Sequence, residues 1–244
     1  MRFASERPLD DVLERRFTLG EIPGILWTPG SASSSAPAPL ILMGHPGGLH
    51  GMYPRLFARA RHCAAEGFAA ATIELPWAGD RPRTAAAEQA HADLRRALAA
   101  GEPVRDEIVD RLVLPLVEEA VPEWRAALDA LLALPELRGP VGYSRGVMAI
   151  GIRLAVVEHR ISAALLFAGS FVPRSMFEEA RKVTVPLLVL LQWDDEGNDR
   201  QSALDVFDAL GSEEKTLHAN MGGHTGVPAF EGDAAVRFFA RHLT

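Results

Sequence analysis

Val141-Gly142-Tyr143-Ser144-Arg145-Gly146-Val147 is the stretch on which the reading of this chain turns. Val141 to Tyr143 reads as a short strand, and an apolar helix-compatible run follows from about Arg145 to Val157. Between them lies a G-x-S-x-G pattern, in the strand-to-helix context that a sharp turn presenting a serine requires. The requirement is steric. A tight turn that lifts a serine oxygen above a sheet brings neighbouring backbone close, so positions two residues to either side must be small, and Gly142 and Gly146 are. A chain with 21 glycines produces such a pattern by chance as well, so the surrounding sequence has to decide.

Outward from this stretch, strands and helices alternate. Toward the N-terminus, Pro39 to Met43 is a short apolar run that ends in His45-Pro46-Gly47-Gly48, as a fully buried parallel strand and its loop do. A helix from about Pro54 to Glu66 and a second strand, Phe68 to Leu75, come next. Before them, Phe17 to Leu19 and Ile22 to Trp27 read as a hairpin turning at Gly20, and Gly30 to Pro39 as an exposed connection. Toward the C-terminus, strands are expected at Ile161 to Ala168, Pro186 to Gln192 and Glu214 to Ala219, with helices at Arg200 to Leu210 and Glu231 to His242. This alternation predicts a parallel sheet covered by helices on both faces. The segment from Trp77 to about Gly101 breaks the rhythm before a long helical region, Val104 to Leu134, and reads as a small lid insertion. Gly139-Pro140 is expected to shorten the strand that precedes Ser144. With no internal repeat and no sharp change of composition, residues 1–244 are expected to form one domain.

A serine hydroxyl needs a base to take its proton, and His224 stands in a Gly-rich loop, Met221 to Gly226, between the last strand and last helix. His218 is the rival, but it falls inside the expected last strand. A carboxylate must orient the base, and Asp194 and Asp195 follow the strand ending at Gln192, between Ser144 and His224 in chain order. Asp195 is preferred and Asp194 stays open, because the direction of the loop's exit decides between them. Glu196 and Asp199 read as solvated charges at a helix entry. Charge developing on an attacked carbonyl oxygen needs backbone N–H donors. Arg145 supplies one, and Gly47 is the preferred second, since Pro46 has no N–H. His45 is expected to brace that loop. Trp77, Trp193, Tyr53 and Met52 are candidates for an apolar substrate pocket, although core packing explains such residues about as often. Arg81, Arg83 and Arg145 are candidates for an anionic substrate group.

Together G-H-P-G-G (44–48), G-Y-S-R-G (142–146), W-D-D-E (193–196) and G-G-H (222–224) resemble the α/β-hydrolase superfamily, nearest its dienelactone-hydrolase-like and small-esterase branch. The resemblance covers roughly Pro39 to the C-terminus. It implies an about eight-stranded, mostly parallel sheet, a serine–histidine–acid triad, hydrolysis through an acyl-enzyme and no cofactor. Some dienelactone hydrolases carry a cysteine nucleophile. Here Ser144 stands in that place, and the sole cysteine, Cys63, lies in an earlier helix. Gly197-Asn198-Asp199 also replaces the Val-Pro pair often found after the acid in that family.

Composition narrows the partners. At 48% hydrophobic and 23% charged the chain is of ordinary globular make-up, so disorder is not expected. No apolar run approaches the roughly 18 residues a spanning helix needs, and Met1 to Asp11 lacks a signal peptide's apolar core, so a cytoplasmic location and no membrane partner are expected. A single cysteine permits neither an internal disulfide nor a zinc ribbon, and no metal site is expected. The formal charge of −7 repels a phosphate backbone, which argues against nucleic acid. The expected partner is a small-molecule substrate, handled by a monomer or homodimer. The leading expectation is hydrolysis of a carboxylic ester or lactone. The same residues also serve peptide, thioester or carbon–carbon cleavage, and a non-catalytic binding or regulatory protein on this scaffold is the reading from another class.

Overall fold

The structure is a computed structural model that describes residues 1–244. Nine strands form one sheet: β1 (Arg2–Leu9), β2 (Val12–Leu19), β3 (Ile22–Pro29), β4 (Ala38–Gly44), β5 (Ala69–Ile73), β6 (Leu137–Arg145), β7 (Ile161–Phe167), β8 (Leu187–Gln192) and β9 (Lys215–Asn220). Their spatial order is β1-β2-β3-β5-β4-β6-β7-β8-β9. The first four strands in that order pair antiparallel, and every pairing from β5 to β9 is parallel. The helices are α1 (Leu49–Ala65), α2 (Ala85–Ala100), α3 (Asp106–Leu132), α4 (Met148–Val157), α5 (Phe177–Ala180), α6 (Arg200–Ala209) and α7 (Phe230–Leu243).

All seven residues of β4, all five of β5 and all six of β8 are buried, as continuous apolar runs covered on both faces must be. One core layer joins β-strand residues to Val117, Trp124 and Leu128 of α3, with Ile150 and Leu154 of α4. The opposite layer joins Trp27 and Ile41 to Leu56 of α1 and Phe239 of α7. From β4 the chain passes to β5 on one side and to β6 on the other. The carboxyl ends of β4 and β6 are therefore the point where strand order reverses, and open α/β sheets bind ligands in the crevice there.

Several expectations are corrected. The sheet has nine strands rather than eight, because β1 also joins the edge. Seven of its eight residues are exposed, so it has no apolar face to read; it is held by its ladder to β2 and by Phe3 against Phe17. Gly139-Pro140 does not shorten β6. The strand runs from Leu137, and a register shift against β4 between Pro39 and Leu40 absorbs the irregularity. Helix α1 starts at Leu49 rather than near Pro54, because both carboxylate oxygens of Glu74 accept from Leu49 N (3.0 and 3.1 Å) and satisfy its free amino end. Helix α4 starts at Met148, not Arg145, because Arg145 and Gly146 take left-handed backbone (φ 65° and 81°). Separately from these corrections, the segment 77–101 expected as a lid contains α2, whose Ala87, Ala90 and Ala97 are buried and which packs on α3.

Candidate active site

Ser144 lies in the last turn of pleat of β6, paired across β4 with Met43, and is 6% exposed. The turn that follows is made by Arg145 and Gly146, one residue later than the sequence pattern alone predicts. Both motif glycines are sterically necessary. A Cβ at Gly142 would lie 2.7 Å from the Phe239 ring, and one at Gly146 2.7 Å from Gly44 Cα. Ser144 therefore keeps its strand orientation and turns toward α1, where Nη2 of Arg59 donates to its Oγ (3.1 Å) and to its carbonyl oxygen (2.9 Å). Nη1 of the same guanidinium donates to Gly44 O (3.2 Å), so Arg59 ties together the carboxyl ends of β4 and β6.

Two loops above β8 and β9 hold the imidazole. Nδ1 of His224 meets Oδ2 of Asp195 at 2.8 Å, and because a carboxylate only accepts, the ring's Nδ1–H donates. Asp195, not Asp194, carries this contact; its side chain is 4% exposed, whereas Asp194 is exposed and engages Gly222 O through its backbone N–H (3.1 Å). Nε2 of His224 makes no hydrogen bond, and the ring stands edge-on to Phe167, with centroids 5.5 Å apart. No hydrogen bond joins His224 to Ser144. Glu196, read from sequence as a solvated charge, accepts from the His224 backbone N–H (3.2 Å), and its own backbone N–H, followed by that of His224, holds its carboxyl below the usual range. Gly223 gives that carboxylate its room, since a Cβ there would lie 2.6 Å from Glu196 Oε2. Nε2 of Gln192 fastens the loop further, donating to Gly223 O (3.2 Å).

His45 does brace the loop after β4. Its Nε2 shares a 2.9 Å hydrogen bond with Ile73 O at the end of β5, and burial pulls its pKa down, which keeps the ring neutral. Next to it lie Pro46, Gly47 and Gly48, the loop that leads into α1. His218, the rival base, has a separate partner: its Nδ1 lies 2.9 Å from Oε2 of Glu231, a carboxylate only 1% exposed that also accepts from Asn220. That pair joins β9 to α7.

The proposed pocket residues are dispersed. Tyr53 donates its hydroxyl to Glu14 (2.7 Å), sharing that oxygen with Trp27, and stacks on Phe57 (5.8 Å between centroids) in the layer under α1. Trp193 is exposed beneath the Arg200 guanidinium (4.4 Å to the ring centroid), and Trp77 holds a left-handed backbone (φ 63°) in the loop after β5. Arg81 is committed to Glu123 through two hydrogen bonds, and Arg83 to Trp77 O. The guanidinium of Arg145 has no hydrogen-bond or ion-pair partner, and burial lowers its pKa. A cleft of about 490 Å³ lies beside α4 and is lined by Met148, Phe171, Val172, Phe177, Asn198 and others, with none of Trp77, Trp193 or Tyr53 among them. Met148 follows the Ser144 turn and Asn198 follows the Asp195 loop, so the cleft borders both. No cluster of three or more His, Cys, Asp or Glu side chains suited to a metal ion is present, and no helix is long and apolar enough to cross a membrane.

Arg59 and Glu196 are the residues that sequence reading missed in these roles. Arg59 sits mid-helix with nothing local to distinguish it, and Glu196 is one of several acids in its loop.

A mostly parallel sheet with this strand order, a serine at the carboxyl end of the strand beside the switch point, and a histidine–aspartate pair on the last two loops are the architecture of the α/β-hydrolase fold. Solved structures agree. The PEG-bound complex of a cold-adapted esterase from an Arctic intertidal metagenomic library is similar over the whole of both chains, with 28% identity and a TM-score of 0.77. TT1662 from Thermus thermophilus matches 94% of this chain and 97% of its own at 18% identity and a TM-score of 0.68. Acetyl xylan esterase 1 from Thermoanaerobacterium sp. JW/SL YS485 matches 97% and 86%, at 13% identity and 0.64. No protein-family model and no curated protein sequence matches the chain.

Proposed function

We propose that this protein is a serine hydrolase that cleaves a carboxylic ester or lactone of small to medium size through an acyl-enzyme. The observation that carries the reading is the Asp195–His224 hydrogen bond, which leaves Nε2 as an unoccupied base on the edge of the sheet where Ser144 ends its strand. Similarity to an esterase over the full length of both chains supports the reaction class. In the first half-reaction Ser144 Oγ bonds to the acyl carbon, its proton passes to His224 Nε2, and the same proton then leaves with the alcohol. In the second, water attacks the acyl carbon, gives a proton to His224, and Ser144 recovers its hydroxyl as the acid departs. The N–H groups of Gly47 and Arg145 are assigned to the carbonyl oxygen, where two donors in a water-poor site stabilise the developing charge. The cleft beside Met148 and Phe171 receives one arm of the substrate.

Chromogenic esters of graded acyl length, together with a serine-directed fluorophosphonate, test the assignment. Hydrolysis and stoichiometric labelling located on Ser144 by peptide mass analysis are expected. A well-folded protein that neither hydrolyses nor labels would support the non-catalytic reading.

A further inference from the structure

Arg59 belongs to the side chains that the hydrolase pattern does not ask for. It reaches from the middle of α1 to the underside of the crevice, and all three oxygens it contacts lie on the carboxyl ends of β4 and β6. No carboxylate lies within ion-pair distance of it. The charged and titratable groups that face it are Arg145, which repels it, and Cys63 and Tyr143, which burial keeps neutral: the thiol is pushed up to about 11 and the phenol higher still. Burial, and then the Arg145 charge, pull Arg59 itself down to about 9, so it remains a cation at neutral pH. A partly buried cation with no counter-charge is costly. Of the side chains that face it, Ser144 is the one whose oxygen it touches directly.

Resting on the serine-hydrolase reading, we propose that Arg59 is a further catalytic residue, a charged donor whose guanidinium holds Ser144 Oγ and stabilises it as its proton leaves for His224. A guanidinium has donors and no acceptor, so Oγ must accept from it, and the hydroxyl's own hydrogen is left free for a base. The interaction strengthens as Oγ becomes anionic, which is the condition for a contact to raise the rate instead of merely binding the ground state. The purely structural account gives Arg59 only the two carbonyl oxygens to clamp, and it predicts the same loss from any residue that cannot bridge them, whatever its charge.

The test measures the rate of Ser144 labelling by the fluorophosphonate, with kcat and KM for the best ester, in Arg59→Gln and Arg59→Lys, with melting temperature recorded for each. Arg59→Gln is expected to slow labelling and kcat about 10²-fold with KM little changed, the scale on which loss of one preorganised donor acts. Arg59→Lys keeps the charge but loses the fork, and is expected to recover about tenfold of that loss. Labelling of Arg59→Gln at the wild-type rate, or equal impairment of the two variants, overturns the proposal while leaving the hydrolase assignment standing. If Arg59→Gln does not fold, Arg59→Met replaces it: labelling about tenfold slower in Arg59→Met than in Arg59→Lys supports the role, and equal rates in the two overturn it. A wild-type protein that is not labelled at all removes both this role and the hydrolase assignment.

Discussion

At the amino edge of the parallel sheet, Glu158 is 1% exposed and accepts from Arg160 through Nε and Nη2 (2.7 Å each) and through its backbone N–H (3.1 Å), while Arg160 also reaches Asp129 (2.6 Å). At the carboxyl edge, Arg59 and Arg145 have no ion-paired carboxylate, His224 keeps Nε2 without a partner, and four hydrogen bonds fasten the loops after β8 and β9 to each other. The same side-chain chemistry is neutralised at one end of the strands and left unspent at the other. Paired charges there make a stable joint between α3, α4 and β7; unpaired ones here make a site, because uncompensated groups persist where function requires them. The contrast predicts that substitutions at the two edges separate into losses of rate and losses of stability.

The largest effect is expected from Ser144→Ala. Removing a nucleophile of this kind costs on the order of 10⁶ in turnover, and the melting temperature should stay close to wild type because the change deletes one hydroxyl held by a single side-chain contact. Ester hydrolysis at an undiminished rate would remove carboxyl-edge chemistry from the comparison.

Next in size, Asp195→Asn should cost on the order of 10⁴ in kcat by misorienting the imidazole, with circular dichroism unchanged. Asp194→Asn should stay within a few-fold of wild type, because that side chain is exposed and only its backbone is engaged. Kinetics of the two variants on one ester rank them, and the reverse ranking would move the orienting role to Asp194.

The smallest effect on catalysis, and the clearest on stability, is expected from Glu158→Gln. Losing charge-assisted hydrogen bonds should destabilise by about 1–3 kcal/mol near neutral pH, with kcat/KM unchanged. The Arg160 side chain beside it, with smaller help from Arg125, holds the Glu158 carboxyl down to about 2. A carboxyl lowered in the folded state contributes its full stabilisation above the unfolded value of about 4.3 and loses it as pH falls toward about 2. Melting temperatures of wild type and variant should therefore converge across that window. A gap that persists at the acid end would mean that the joint works by shape and not by charge.

Particular residues show where sequence was legible. Leu40 to Met43 and Leu187 to Leu191 read directly as buried strands because parallel strands covered on both faces need continuous apolar runs. Gly142 and Gly146 read as sterically required from the turn they flank, although the groups that crowd them, Phe239 and Gly44, come from other elements. By contrast, Arg2 to Leu9 offers no apolar alternation, and its strand exists only because β2 presents an unpaired edge. Tyr53 and Trp193 lie near loop residues in sequence but are taken up by Glu14 and Arg200.

The sequence by itself determined the class of fold, and it singled out Ser144, His224 and the short interval holding Asp194 and Asp195 as candidates. Those rest on periodicity, backbone sterics and chain order, each confined to a few neighbouring residues. The tertiary structure alone decided which of Asp194 and Asp195 meets His224, that the turn after β6 falls on Arg145, and that Arg59 from another helix reaches Ser144. Each depends on the direction in which a side chain leaves its element and on what a distant segment brings to meet it, and one-dimensional spacing does not encode that.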